Sequence, residues 1–171
     1  QLPRVSAHGS RVFRWAPWAA AAAVLLVALG AWRMWTVGNR PDVLGPLYIQ
    51  TVASGFIPET ECKTDDEFAA WCRSYLRQPL YPISRPEGLE YVGWNKGRVI
   101  SPISGILLVR DCGQPVIVVL ERADRQTITP GKIVDPGLHK FEKRIGDVVL
   151  YEITPNDKAS VLPLLSATPT R

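Results

Sequence analysis

Cys62, Cys72 and Cys112 are the side chains whose chemistry would be most distinctive, as thiols that pair, bind metal or attack carbon. None of their spacings is C-x-x-C, so neither a thioredoxin-like exchange centre nor a zinc ribbon has a motif behind it. Three cysteines leave at least one unpaired within the chain. Cys62 precedes a predicted helix and Cys72 lies inside it. Bonding those two within a Cα limit of roughly 7 Å would require the loop to fold back on the helix, so pairs involving Cys112 are the easier ones. The simpler role for Cys72 is that of a small buried hydrophobe on the helical stripe.

The remaining candidates are weaker. His8 and His139 are the only histidines and stand on opposite sides of a long apolar run, so they do not share one site and no metal-ligand set is expected. Ser54, Ser101 and Ser104 lack a nucleophile-elbow context. Asp65, Asp66 and Glu67 are accounted for by helix capping. Gly93, Gly97 and Gly105 fit turns or bulges and have no phosphate-loop spacing. Trp71, Tyr91, Trp94 and Tyr151 could line a groove, although such aromatics more often fill a core. No catalytic residue and no cofactor is expected, so the chain reads as non-enzymatic. A formal charge of +4 with no basic run interleaved with aromatics gives no case for nucleic acid.

The element that would position Cys72 is the clearest local signal. Thr64-Asp65-Asp66-Glu67 is a capping box, and Phe68, Trp71, Cys72, Tyr75 and Leu76 follow at i, i+3, i+4, i+7 and i+8. This predicts an amphipathic helix over 65–77, stopped by Pro79. Its stripe needs a sheet. Leu47 to Val52 reads as a short strand, as do Leu89 to Trp94 and Arg98 to Ile103 around a turn at 95–97. GILLVR (105–110) and PVIVVLER (115–122) form a central hairpin so uniformly apolar that both faces need cover, or one is core and the other partly shielded by a helix. Residues 125–137, rich in Pro and Gly, read as mostly loop. The charged strand 139–145 suits a sheet edge, and Gly146-Asp147 turns it into VVLYEIT. Pro155 to Leu165 suggests a short last helix. The fold class is α+β, one helix on a largely antiparallel sheet of five or six strands, over residues 59–171.

Ahead of this domain, WAPWAAAAAVLLVALGAW (15–32) carries no charge over about 18 positions, enough to cross most of a bilayer core. Trp15, Trp18, Trp32 and Trp35 gather at its ends, where indoles favour the headgroup region. A transmembrane helix over 15–35 is expected, with a cytoplasmic flank at 1–14 and a juxtamembrane linker at 36–58. Cleavage as a signal peptide or burial as a core helix would not explain the tryptophan pairs. Arg4, Arg11 and Arg14 precede the run and Arg33 and Arg40 follow it, so a cytoplasmic N-terminus and a domain outside a cytoplasmic membrane are expected. The chain opens at Gln1 and its only Met is Met34, so a fragment or processed product is expected.

The run EFAAWCRSYLRQPLYPISRPEGLEYVGWNKGRVISPISGILLVRDCGQPVIVVLER, behind such an anchor, resembles the anchor and outer part of bacterial transmembrane anti-sigma-factor-like regulators. In that family a cytoplasmic N-terminal helical domain, often zinc-associated through a His-x3-Cys-x2-Cys motif, sequesters the sigma factor. That motif is not in this sequence, and no functional residue carries over. The resemblance implies a regulatory membrane protein with a sensing outer domain and a protein partner, either the sigma factor or an envelope protein. A structural accessory subunit of an envelope complex and a tethered thiol- or metal-handling enzyme are the alternatives.

Overall fold

The computed structural model describes residues 25–32 and 40–169. The chain divides into two compact units, Gln1–Asn39 and Arg40–Arg171. In the first, residues 25–32 are helical. The rest of the expected 15–35 helix, apart from that segment, lies outside the described residues, as does the flank with His8. Among the described residues no helix is long and apolar enough to cross a membrane.

The second unit is α+β. In chain order it holds α1 (Leu44–Ala53), β1 (Thr60–Glu61), α2 (Asp65–Leu76), β2 (Tyr81–Pro82), β3 (Leu89–Gly97) and β4 (Ser104–Asp111). Then follow β5 (Gln114–Arg122), β6 (His139–Ile145), β7 (Val148–Thr154) and β8 (Leu165–Ser166), with short 3-10 turns at Ala123–Arg125 and Leu162–Leu164. The main sheet runs β1-β3-β4-β5-β7-β6, β2 pairs with β8, and every pairing is antiparallel.

Alternation along the strands divides the core in two. Leu107, Val109, Val116, Val118 and Leu120 point to the face covered by Phe68, Cys72 and Leu76 of α2. Their neighbours Ile106, Leu108, Ile117 and Val119 point to the other face, covered by Leu44 and Tyr48 of α1. The continuous apolar character of β4 and β5 follows from this double cover.

The local signals produce the expected elements where they are self-contained. Thr64 Oγ1 accepts from the Glu67 amide at 3.2 Å while the Glu67 carboxylate accepts from the Thr64 amide at 3.1 Å, completing the capping box of α2. The β4–β5 hairpin closes through Cys112 and Gly113, both at positive φ (50° and 82°), the backbone that a two-residue hairpin turn of matching twist requires. Gly93 marks a bulge in β3, where a Cβ would lie 2.2 Å from the Thr60 carbonyl oxygen.

Three expectations give way. Residues 47–52 are helical, as part of α1, and α1 belongs to the folded unit rather than to a linker at 36–58. Ile49, Thr51 and Val52 favour a strand, but the helix buries Leu44 and Tyr48, one turn apart, against the sheet, and tertiary burial overrides propensity. The turn expected at 95–97 is strand: β3 pairs with β4 out to Gly97 opposite Ser104, and residues 98–103 form the connection. Serine hydroxyls hold it, since Ser104 Oγ accepts from the amides of Ile100 and Ser101 and Ser101 Oγ from that of Ile103. The expected last helix is one 3-10 turn followed by β8, because its amides are taken by a buried carboxylate described below.

Candidate interaction surface

The three cysteines are free thiols in unlike places. Cys62 and Cys72 share the buried cluster under α2. Burial pushes the Cys72 thiol up to about 12, against a backbone hydrogen bond at Leu80. It raises Cys62 too, opposed by the Trp94 indole N–H and the Arg85 charge. Thiols held neutral in this way are poor nucleophiles and poor ligands. Cys112 is exposed at the β4–β5 turn beside Gly88, outside that cluster, so the pairings with Cys112 favoured by spacing are not assembled. His139 lies 3.3 Å from the Asp157 carboxylate on β6. Among the described residues no group of three or more His, Cys, Asp or Glu side chains is placed to hold a metal ion.

Ser101 and Ser104 do sit together, with a partner that sequence reasoning overlooked. Glu121, fully buried at the end of β5, accepts from the Ser101 hydroxyl and from the Arg122 amide at 2.8 Å. No histidine intervenes to take the serine proton, and Ser101 Oγ is at the same time an acceptor within its own loop. Tyr75 donates to the Ile103 carbonyl, and its hydroxyl is pushed up to about 12 by burial and then by the Glu121 charge, against Arg125. The cluster therefore locks the 98–103 connection onto α2 and β5. Ser54 stands apart, donating to the Thr51 carbonyl at the end of α1.

A second overlooked carboxylate, Glu152 in the middle of β7, is also fully buried. It accepts from the amides of Ser160, Val161 and Leu162 at 2.7, 3.1 and 2.8 Å and from the Ser160 hydroxyl at 3.3 Å. A buried carboxyl group is tolerable when so fully bonded. It clamps the C-terminal segment, with Val161, Leu162 and Leu165, over the α2 face. The signal was available: a lone Glu in a strand covered on both sides must find donors.

The edge strand β6 uses its charges inward as well as outward. Lys143 donates to the carbonyls of Leu162 and Leu165 at 2.8 and 2.9 Å, while Lys140, on the other face, donates to those of Pro130 and Gly131 at 3.1 and 2.7 Å. Burial, together with the nearby Arg40 charge, lowers the Lys140 pKa against the opposing pull of Glu142 and Asp42. Of the aromatic set, Tyr91, Trp94 and Tyr151 are core, and Trp71 stacks on Trp94 at 3.8 Å and on Tyr75 at 4.7 Å. A Cβ at Gly105 would lie 2.6 Å from the Trp71 ring, so the small residue in β4 seats this stack. The aromatics fill space and line no groove.

What is left unassigned is a surface. α1 carries no charged residue and turns Pro46, Ile49, Gln50, Val52 and Ala53 outward. Ile57 follows, 70% exposed, and Val134, 82% exposed, stands beside the start of the helix. The Asp42 carboxylate fixes that neighbourhood, accepting from the Gly45 amide at 2.9 Å and the Val134 amide at 2.8 Å. An open depression lined by Lys132, Val134, Asp135, Pro136, Leu138 and His139 includes the valine. No known protein family matches the sequence, and no curated protein and no solved structure matches it.

Proposed function

We propose that this chain is a membrane-anchored regulatory or sensing protein of the anti-sigma-factor-like kind, with a non-enzymatic outer domain. One observation carries the anchor. In the helical segment 25–32, Leu25, Leu26, Val27, Leu29 and Trp32 are 63–72% exposed. At 3.6 residues per turn these positions point around most of the helix circumference, leaving no polar side for water. Hydrocarbon is the solvent that suits such a segment, and the tryptophan pairs of the 15–35 run suit its two interfaces. The basic flank at 1–14 then favours a cytoplasmic N-terminus and an outer Arg40–Arg171 unit.

The non-enzymatic part is supported by how the polar core is used. Glu121, Glu152, Lys140 and Lys143 each hold a connection or the C-terminal segment, and the two buried thiols are kept neutral. A regulator of this kind acts through protein contacts, with the sigma factor held on the cytoplasmic side of the anchor. C-terminal fusions in a bacterial host test the arrangement. A phosphatase that works only outside the cytoplasm should be active and a fluorescent protein that matures only inside should be dark; the reverse pattern contradicts the topology. Co-purification of a sigma factor with the natural gene product would support the regulatory role, and its absence from a preparation that retains the stable partner of an envelope complex would favour an accessory subunit.

A further inference from the structure

We infer that the α1 face of the domain lies against the headgroup layer of the bilayer, a conclusion that rests on the membrane anchor proposed above. Pro46, Ile49, Val52 and Ala53 fall at i, i+3, i+6 and i+7 on the side away from the buried Leu44 and Tyr48, with Gln50 the one exposed polar side chain among them. Ile57 and Val134 extend the apolar character beyond the helix. Single exposed apolar residues are ordinary, but an uncharged helix whose outward side is mostly apolar is not. The same chain shows the contrast: α2 turns Asp65, Asp66, Arg73 and Ser74 to water.

Connectivity selects the occupant. Arg40 and Lys132 are exposed beside the patch, and Asp42 and Asp135, which accept from backbone amides, balance their charge. The folded unit begins at Arg40, and the Pro41 carbonyl accepts from the Gly131 amide at 2.8 Å. Only residues 33–39 separate Arg40 from Trp32 in the sequence. α1 starts four residues later. The tether thus offers a bilayer to this patch at high effective concentration, which any dissolved partner must overcome.

The test uses the full chain in nanodiscs of phosphatidylcholine and phosphatidylglycerol. In a Cys112→Ser background the two remaining cysteines are buried, so a nitroxide can be placed at Ile49→Cys, Val134→Cys, Ser74→Cys or Leu26→Cys. Collision with oxygen, which concentrates in lipid, and with a water-soluble nickel chelate reports the surroundings. The inference expects positions 49 and 134 to meet the chelate several-fold less often than position 74. It is overturned if 49 and 134 match 74 while 26 remains shielded. Chelate access at 26 would instead overturn the anchor itself. Shielding of 49 from both probes, with spin–spin broadening, would assign the patch to a second copy of the chain and overturn the bilayer contact.

Discussion

The two faces of the sheet are covered by helices built on opposite plans. α2 has a full capping box, three acidic residues in its first turn, an apolar stripe inward and a charged side outward. α1 has no side-chain cap at Val43, no charge, and apolar residues on both sides; its first-turn amide is served instead by Asp42. The α2 face is also clamped by Glu152 and Lys143 and carries the aromatic stack, whereas the α1 face is held by Asp42, Lys140 and close backbone packing at Gly131. A face built to be sealed from water and a face built to meet something other than water therefore share the same strands.

Alkaline titration should separate the two most strongly. Cys72, Tyr75 and Tyr91, all packed in the α2-side cluster, are each pushed up to about 12, chiefly by burial. Their folded values exceed their unfolded ones, so the stability they contribute is complete below about pH 9 and is lost as pH rises through 12, on the order of several kcal/mol in sum. Urea unfolding in mild detergent, followed by circular dichroism from pH 8 to 11, should show this decline. In Cys72→Val the loss between about pH 9 and 10 should be smaller, since Cys62 is then the one raised thiol beside the tyrosines; an unchanged loss would contradict the assignment.

Next in size is Glu152→Ala, which leaves two buried amides and the half-buried Ser160 amide unanswered and should destabilise by roughly 2–5 kcal/mol. Hydrogen exchange should show the Val161–Leu165 segment opening first. The matching break on the other face is Gly131→Ala, where the new Cβ would lie 2.1 Å from the Arg40 carbonyl oxygen. The expected cost is about 1–3 kcal/mol, with faster exchange in α1 and little change in α2. Equal effects on both helices would dissolve the comparison. The smallest pair is Thr64→Ala and Asp42→Ala, each costing on the order of 1 kcal/mol by loss of a cap, read as shifts in the urea midpoint. Asp42→Ala alone should also free the Val134 amide to exchange.

The difference between the faces explains what the sequence disclosed. α2 and the hairpins β4–β5 and β6–β7 depend on signals a few residues apart: Thr64 with Glu67, Cys112-Gly113, Gly146-Asp147. α1 depends on partners remote in sequence, with Asp42 bonding Val134 and Tyr48 donating to the Pro115 carbonyl, and its β-branched residues pointed to a strand. Glu121 and Glu152 were passed over for the same reason. Their donors, Ser101 and the 160–162 amides, come beside them only when the chain folds. Ser101 and Ser104 were visible as serines, but their task in the 98–103 connection required knowing that β3 runs on to Gly97.

Retention in the membrane is the claim on which the reading of the α1 face depends. Membranes from cells expressing the full chain, washed in alkaline sodium carbonate, should keep it in the pellet, and Leu26→Lys combined with Leu29→Lys should release it to the supernatant. Release of the unaltered chain would contradict the account.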